Sequence, residues 1–334
     1  MSRRAAGLAS LVVLVSVHAA ALAAGFLAPY DPAEQNRTMP FAPPTRVRLF
    51  EADGRFHGRP FVYALDEAAA DGGRYEEDHT RACPVRLFVR GPSGGLRLFG
   101  VDDPARLFLL GTDGLGRDQL SRLLHGARTS LAAGLLATGV ALGLGWLLGV
   151  AAGYYRGWVD AVVMRAVELF LALPWLYLLF GVRALLPLHV PPGRAFLMIV
   201  LVIGLVDWAR PARVFRGLVL SARERGYVLA ARGFGASDAF VIRRHIAPAT
   251  CAVAATQAAL LVPQYVLAEV TLSFLGLGIG EAAPSWGNML SALQQYHVLV
   301  SYWWMWLPGL ALVPVLLAWS ALADAVAPPE EAAA

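Results

Sequence analysis

The sequence predicts an all-α polytopic membrane protein with six transmembrane helices and a small β-rich extracytoplasmic insert after the first helix. Three observations carry that expectation. Of 334 residues, 57% are hydrophobic and only 16% charged, with a mean hydropathy of +0.55, which is too apolar for an ordinary soluble domain. Several runs approach the roughly 20 apolar residues that a bilayer crossing needs, and one of them, Leu131 to Gly153, contains no charge. The arginines, finally, are distributed as membrane topology requires.

Taken in order, the first expected span is 7–28. "MSRR", an apolar stretch and "ALAAG" also have the three parts of a cleavable secretory signal. The apolar run continues through Phe26 and Leu27, which favours an uncleaved helix, and residue 29 starts outside on either reading. Residues 29–110 form a hydrophilic extracytoplasmic segment, too long for a plain loop. It contains short alternating runs, "TRVRLF", "RPFVYAL", "CPVRLFVRG" and "GLRLFGV". The last two flank "PSGG" and read as a β-hairpin, and the acidic 66–78 stretch reads as mobile. This insert is expected to serve as a cap or docking surface.

Residues 111–130 are expected to form an amphipathic helix on the outer interface, because Leu120, Leu123 and Leu124 share a face. A permease core at 127–324 then holds spans at about 131–153, 162–184, 195–212, 250–274 and 303–323. Residues 213–249 form a cytoplasmic loop, and 325–334 a cytoplasmic tail. With the N-terminus inside, twelve arginines, from Arg3 and Arg4 to Arg243 and Arg244, fall on inner segments, and the short outer loops hold only Arg183 and Arg194. That bias sets the orientation. "SYWWMW" at 301–306 places aromatic rings where an outer interfacial belt would lie.

Several chemistries are excluded. All 28 basic residues are arginine, so a phosphate-binding loop of the GxxxxGK[ST] kind cannot exist, and any ATPase must be another chain. The dispersed arginines argue against nucleic acid. Cys83 and Cys251 sit in unlike contexts and outside any ligand cluster, which leaves neither a disulfide nor a metal site to expect. No HExxH or GxSxG occurs, the seven histidines are scattered, and His245 reads as a surface or interface residue. No cofactor and no catalytic residue is expected.

Two carboxylates fall inside spans, where an ionisable group is costly unless paired or wet. Asp207 has Arg210 one turn on as its nearest partner in sequence. Glu269 lies towards the outer end of its span, where a water-filled vestibule would hydrate it. Both are candidates for the translocation path.

The segment "GYVLAARGFGASDAFVIRRHIAPA" between the fourth and fifth spans is of a different kind. Apolar spacing continues the preceding helix, "GFG" ends it, Ser237 caps a second short helix, and Asp238 lies in its first turn. Two helices set at an angle across a glycine joint would transmit a partner's movement to the spans they join. Tyr227, Ala230, Ala231, Gly235, Ser237, Asp238, Arg243 and Pro248 are the candidate coupling residues.

This stretch resembles the EAA loop of ABC importer permeases: Ala230, Ala231, Gly235 and Pro248 match, whereas Leu229 and Ala247 replace the family's Glu and Leu. "FLAPYDP", "LGTDGLGRDQLSRLLHGARTSL", "GYYRGWVDAVVMR" and "LSFLGLGIGEAAPSWGNML" resemble the second permease of dipeptide and oligopeptide importers, a branch shared with nickel importers. The likeness covers residues 1–35 and 104–324, and leaves the larger outer insert at about 40–103 unaccounted for. It implies a bacterial inner-membrane subunit that works with a second permease, two ABC ATPase subunits and an extracytoplasmic substrate-binding protein. The rival class, an ion-coupled secondary transporter relaying protons through Asp207 and Glu269, would be expected to carry internal repeats, and none is apparent.

Overall fold

A computed structural model describes residues 3–51, 55–67, 75–92, 94–185, 187 and 190–327. Two compact units emerge. One comprises Met1–Leu14, Leu131–Leu272 and Pro314–Ala334, the other Val15–Ser130 and Ser273–Val313.

Helices dominate. In chain order they are α1 Arg3–Leu22, α2 Ala24–Leu27, α3 Gln119–Tyr155, α4 Gly157–Ala172, α5 Trp175–Ala184, α6 Pro192–Val206, α7 Ala209–Ala222, α8 Gly226–Gly233, α9 Asp238–Val241, α10 Ala247–Phe274, α11 Trp286–Leu290, α12 Tyr296–Ser301 and α13 Leu307–Val326. A π turn, Ile242–Ile246, joins α9 to α10. Among the described residues four helical stretches are long and apolar enough to cross a membrane: Ala5–Leu22, Gln119–Tyr155, Asp238–Phe274 and Trp303–Val326. The pairs α4 with α5 and α6 with α7 raise that number to six if each bent pair is one span.

The first unit is held by close helix contacts at small residues. Along α3, Gly145, Gly149 and Gly153 recur every four residues and face α7. A methyl group at Gly145 would meet Pro211 Cβ at 2.7 Å and the Trp208 carbonyl at 2.9 Å, and one at Gly149 would collide with the Ala212 carbonyl. Where lipid removes the hydrophobic drive between helices, such backbone approach supplies the packing energy. Around it Val150, Tyr154, Val219, Ala222, Val228, Val241 and Ile246 form a buried cluster.

The second unit carries the strands. β1 Arg48–Phe50, β2 Phe56–Glu67 and β3 Tyr75–Pro84 form an antiparallel sheet in sequence order, and β4 Arg86–Arg90 pairs antiparallel with β5 Leu96–Gly100. Val62, Ala64, Cys83, Ala105 and Leu107 make its core. The polypeptide before β1 is laced to the segment before α3. Thr112 Oγ1 accepts from Ala42 N at 2.7 Å and donates to the Met39 carbonyl at 2.7 Å, and Tyr30 Oη accepts from Leu107 N at 2.8 Å. Burial of its ring pushes the Tyr30 phenol up to about 12. Ser285 caps α11 in a capping box with Asn288, and Trp286 Nε1 donates to the Leu123 carbonyl at 3.1 Å, which accounts for the "APSWGN" run.

The helices depart from the sequence reading at four places. The expected interfacial helix at 111–130 and the span at 131–153 are one 37-residue helix, α3, while residues 111–118 are not helical. Gly126 does not break it; a Cβ there would lie 3.3 Å from Ser285, so the glycine permits close approach instead. The 162–184 span is bent by 91° between α4 and α5. Leu173, the residue preceding Pro174, is extended (φ −92°, ψ 138°), as steric conflict with the proline ring demands. The 195–212 span bends by 45° at Asp207 and Trp208, and α7 opens with Pro211 in its first turn. The second helix of the 213–249 loop does not stop before the fifth span: α9, the π turn and α10 run without a break from Asp238 to Phe274. The wider turn lies just ahead of Pro248, whose ring would crowd the carbonyl one turn back. The acidic stretch read as mobile lies largely, at 68–74, outside the described residues, as does most of the tail, at 328–334.

Candidate functional site

Most of the candidate coupling residues come together on one surface of the first unit. α8 ends in a Schellman turn: Gly235 N donates to the Arg232 carbonyl and Ala236 N to the Ala231 carbonyl, both at 3.0 Å. Gly235 sits at φ +82° with open space around its absent side chain. Conformation alone, not crowding, therefore demands glycine. Ser237 then caps α9, accepting from Phe240 N at 3.4 Å.

Ala231 and Ala236 pack down against the buried cluster, whereas Tyr227, Leu229, Ala230, Phe234, Phe240 and Arg243 face outward. Phe234 is 93% exposed, on the turn itself. Tyr227 and Phe240 flank His245, with ring centroids at 5.5 and 5.9 Å. Three aromatic rings and a leucine open to solvent beside arginines make a surface suited to a protein partner rather than to water. Pro248 is exposed at the start of α10.

A tie that sequence reading missed binds this surface to α3. Tyr154 Oη donates to Asp238 Oδ1 at 2.7 Å, the Arg232 guanidinium lies 5.3 Å above the Tyr154 ring, and Arg223 Nη1 donates to the Tyr154 carbonyl at 2.8 Å. The last residue of α3 but one is thus fastened to the C-cap of α7, to α8 and to α9. "GYYR" reads in sequence only as a turn, and nothing in its spacing signals this role.

The two carboxylates of the spans lie apart from that surface. Asp207, 3% exposed, stands at the α6–α7 bend. Its Oδ1 is 3.4 Å from Arg210 Nε, as its spacing suggested, and its Oδ2 accepts from Tyr265 Oη at 3.1 Å. Tyr265 was not foreseen, because a tyrosine inside an apolar run reads as packing. Glu269, one turn beyond Tyr265 on α10, is 0% exposed. Its neighbours Val266, Ala268, Val270 and Leu272 on the same helix are buried too. Cys83 and Cys251 are both free. Among the described residues no group of three or more His, Cys, Asp or Glu could hold a metal ion.

Four long apolar helices and two bent helix pairs are those of a multi-pass membrane protein. Residues 145–329 match the family described as the binding-protein-dependent transport system inner membrane component. Residues 1–44 match the N-terminal transmembrane domain of oligopeptide transport permease C. The chain belongs to the first of these families: it is the permease subunit of an ABC importer, a transport subunit rather than an enzyme. A peptide permease protein of Brucella suis biovar 1 is 37% identical over 215 residues, 64% of this chain and 69% of that protein. The di/tripeptide transport system permease protein DppC of Pseudomonas aeruginosa is 36% identical over 239 residues, 70% and 77% of the two chains. The glutathione transport system permease protein GsiD of Pectobacterium atrosepticum is 33% identical over 223 residues, 67% and 72%. A permease of this kind implies a system with a partner permease, an ATPase and a binding protein.

Proposed function

We propose that this permease forms half of the transmembrane pathway for a di- or oligopeptide-like solute. It lies in a bacterial inner membrane as six spans, with both termini cytoplasmic and the strand-bearing insert outside. It pairs with a second, related permease, while two ABC ATPase subunits bind the cytoplasmic face and a substrate-binding protein docks outside. The surface formed by Tyr227, Ala230, Gly235, Phe234 and Arg243 seats in an ATPase subunit. Closure of the ATPases pushes α8 and α9, and the tie from Asp238 to Tyr154 carries that displacement into α3. The continuous helix from Asp238 to Phe274 carries it past Asp207 and Glu269, which stand beside the path and set its polarity.

The observation that supports this reading best is the rigid Gly235 turn carrying exposed aromatic side chains. The substrate class is supported by the names of the relatives. The alternative, a secondary transporter with Asp207 and Glu269 as a proton relay, leaves that surface without a purpose. The test is reconstitution of the permease pair, the ATPases and the binding protein in proteoliposomes with labelled dipeptide. Uptake that requires ATP and the binding protein is expected; uptake driven by a proton gradient without ATP would sink the proposal.

A further inference from the structure

The second unit contains a cavity of about 410 Å³ that the transport reading does not use. Asp113, Arg117, Gln119, Arg122 and Glu281 line it. Asp113 is engaged: its Oδ2 accepts from Arg117 Nε at 2.7 Å. Arg117 also reaches Glu281 Oε2 at 3.3 Å, at the solvent edge, where the Glu281 side chain is 65% exposed.

Arg122 is different. It is 2% exposed, and the contacts of its guanidinium among the described residues are long, with Asp113 Oδ2 at 3.5 Å from Nε and the Pro32 carbonyl at 3.4 Å from Nη1. A guanidinium offers five donors in a planar fork, and burying that charge with weak partners is costly. Gln119, equally buried, donates Nε2 to Met305 Sδ and leaves Oε1 without a partner. The cavity wall therefore holds unspent donors on Arg122 and an unspent acceptor on Gln119. A ligand that satisfies both presents a carboxylate next to an N–H group. The carboxyl end of a short peptide has that chemistry, and the volume falls within the range of small-molecule sites.

We infer that this cavity is a binding site for the C-terminal carboxylate of a short peptide, with Arg122 pairing the carboxylate and Gln119 accepting from the adjacent amide N–H. The inference rests on the peptide-import reading and adds to it a place where the permease itself holds substrate.

The test uses the purified complex of permeases and ATPases without the binding protein, titrated with dialanine and with dialanine amide. Dialanine is expected to bind, and the amide, which lacks the carboxylate, to bind at least about tenfold more weakly. Arg122→Gln should weaken dialanine roughly 10- to 100-fold. Ala292→Trp, which fills the cavity from its wall without altering a charge, should do the same while the ATPases co-purify as before. Equal binding of the acid and the amide, or undiminished binding to Ala292→Trp, overturns the site. So does a result in which dialanine fails to bind while both variants lose capture of the binding protein, because the cavity would then be a protein-docking pocket. Comparing acid with amide on the unaltered complex requires no variant to fold. Uptake of labelled dialanine by the complete system separates the two levels. If uptake occurs but the cavity binds nothing, only this inference fails, and if uptake itself is absent, the peptide-import reading fails.

Discussion

At the level of single residues, Gly235 gives the sharpest expectation. Its φ of +82° places a β-branched side chain in a region it resists, at a cost on the order of 1–3 kcal/mol. Gly235→Val should still insert in the membrane, yet α8 and α9 would no longer meet at the same angle. Co-purification of the ATPases is expected to fall sharply and uptake to collapse at near-normal membrane levels. Arg243→Ala should be milder, because an exposed ionic contact contributes about 0–1 kcal/mol. Normal ATPase retention in the valine variant would reduce the segment to a connector. A second residue gives a pH signature. Asp118 is buried at the start of α3, where its Oδ2 accepts from Ser121 N and Oγ at 2.7 and 2.6 Å, and burial pushes its carboxyl up to about 7. Because the folded chain holds that proton more tightly than the unfolded chain, whose carboxyl titrates near 4, the stabilisation is complete below about pH 4. It is lost as pH rises through about 7. The unfolding midpoint in detergent should fall between pH 5 and pH 8, and Asp118→Asn should flatten that slope. A variant as steep as the parent would assign the pH dependence to other groups. Much at this scale was legible: the glycine turn, the Ser237 cap and the Asp207–Arg210 pair follow from local spacing. Tyr154, Tyr265 and Gln119 did not, because their partners lie between 58 and 186 residues away in sequence.

At the level of elements, hydropathy marked the apolar windows but could not tell whether a helix continues past them. At about 1.5 Å per residue, the 37 residues of α3 extend roughly 55 Å, well beyond a hydrocarbon core of about 30 Å. The polar turns 119–130 belong to the same rod, since an amphipathic start followed by an apolar run contains nothing that ends a helix. The bend at Leu173–Pro174 was readable in principle from the proline, but a hydropathy average over the length of a span passes over it. The tie between elements makes its own prediction. Tyr154→Phe keeps the ring in its buried cluster and removes only the donor to Asp238, a loss of about 1 kcal/mol. The ATPases should bind this variant as they bind the parent, because no surface residue changes. Dipeptide taken up per ATP hydrolysed should nevertheless drop, as movement of α9 reaches α3 less faithfully. An unchanged ratio would make the contact a structural bond and nothing more.

For the whole molecule, the decisive quantity is which side of the membrane each connection occupies. The arginine bias is the physical argument. Twelve arginines lie on the segments assigned to the cytoplasm and two on the short outer loops, and short loops carry the orientation because long ones translocate largely regardless of charge. The residues on the coupling surface belong to the arginine-rich set, including Arg232 and Arg243, whereas Gln294 lies in a connection between α11 and α12 that holds no arginine. If the bias governs, a reporter active only outside should give a signal when fused after Glu67 or Gln294 and none after Arg232, and a reporter active only inside should give the converse. Counting α4 with α5 and α6 with α7 as single bent spans makes the number of crossings even between the N-terminus and Arg232. If the 91° bend instead turned α5 back to the side it came from, the parity would change, and the fusion after Arg232 would report outside while that after Glu67 did not move. That outcome would place the Gly235 surface beyond reach of any cytoplasmic ATPase, and with it the coupling mechanism would fall.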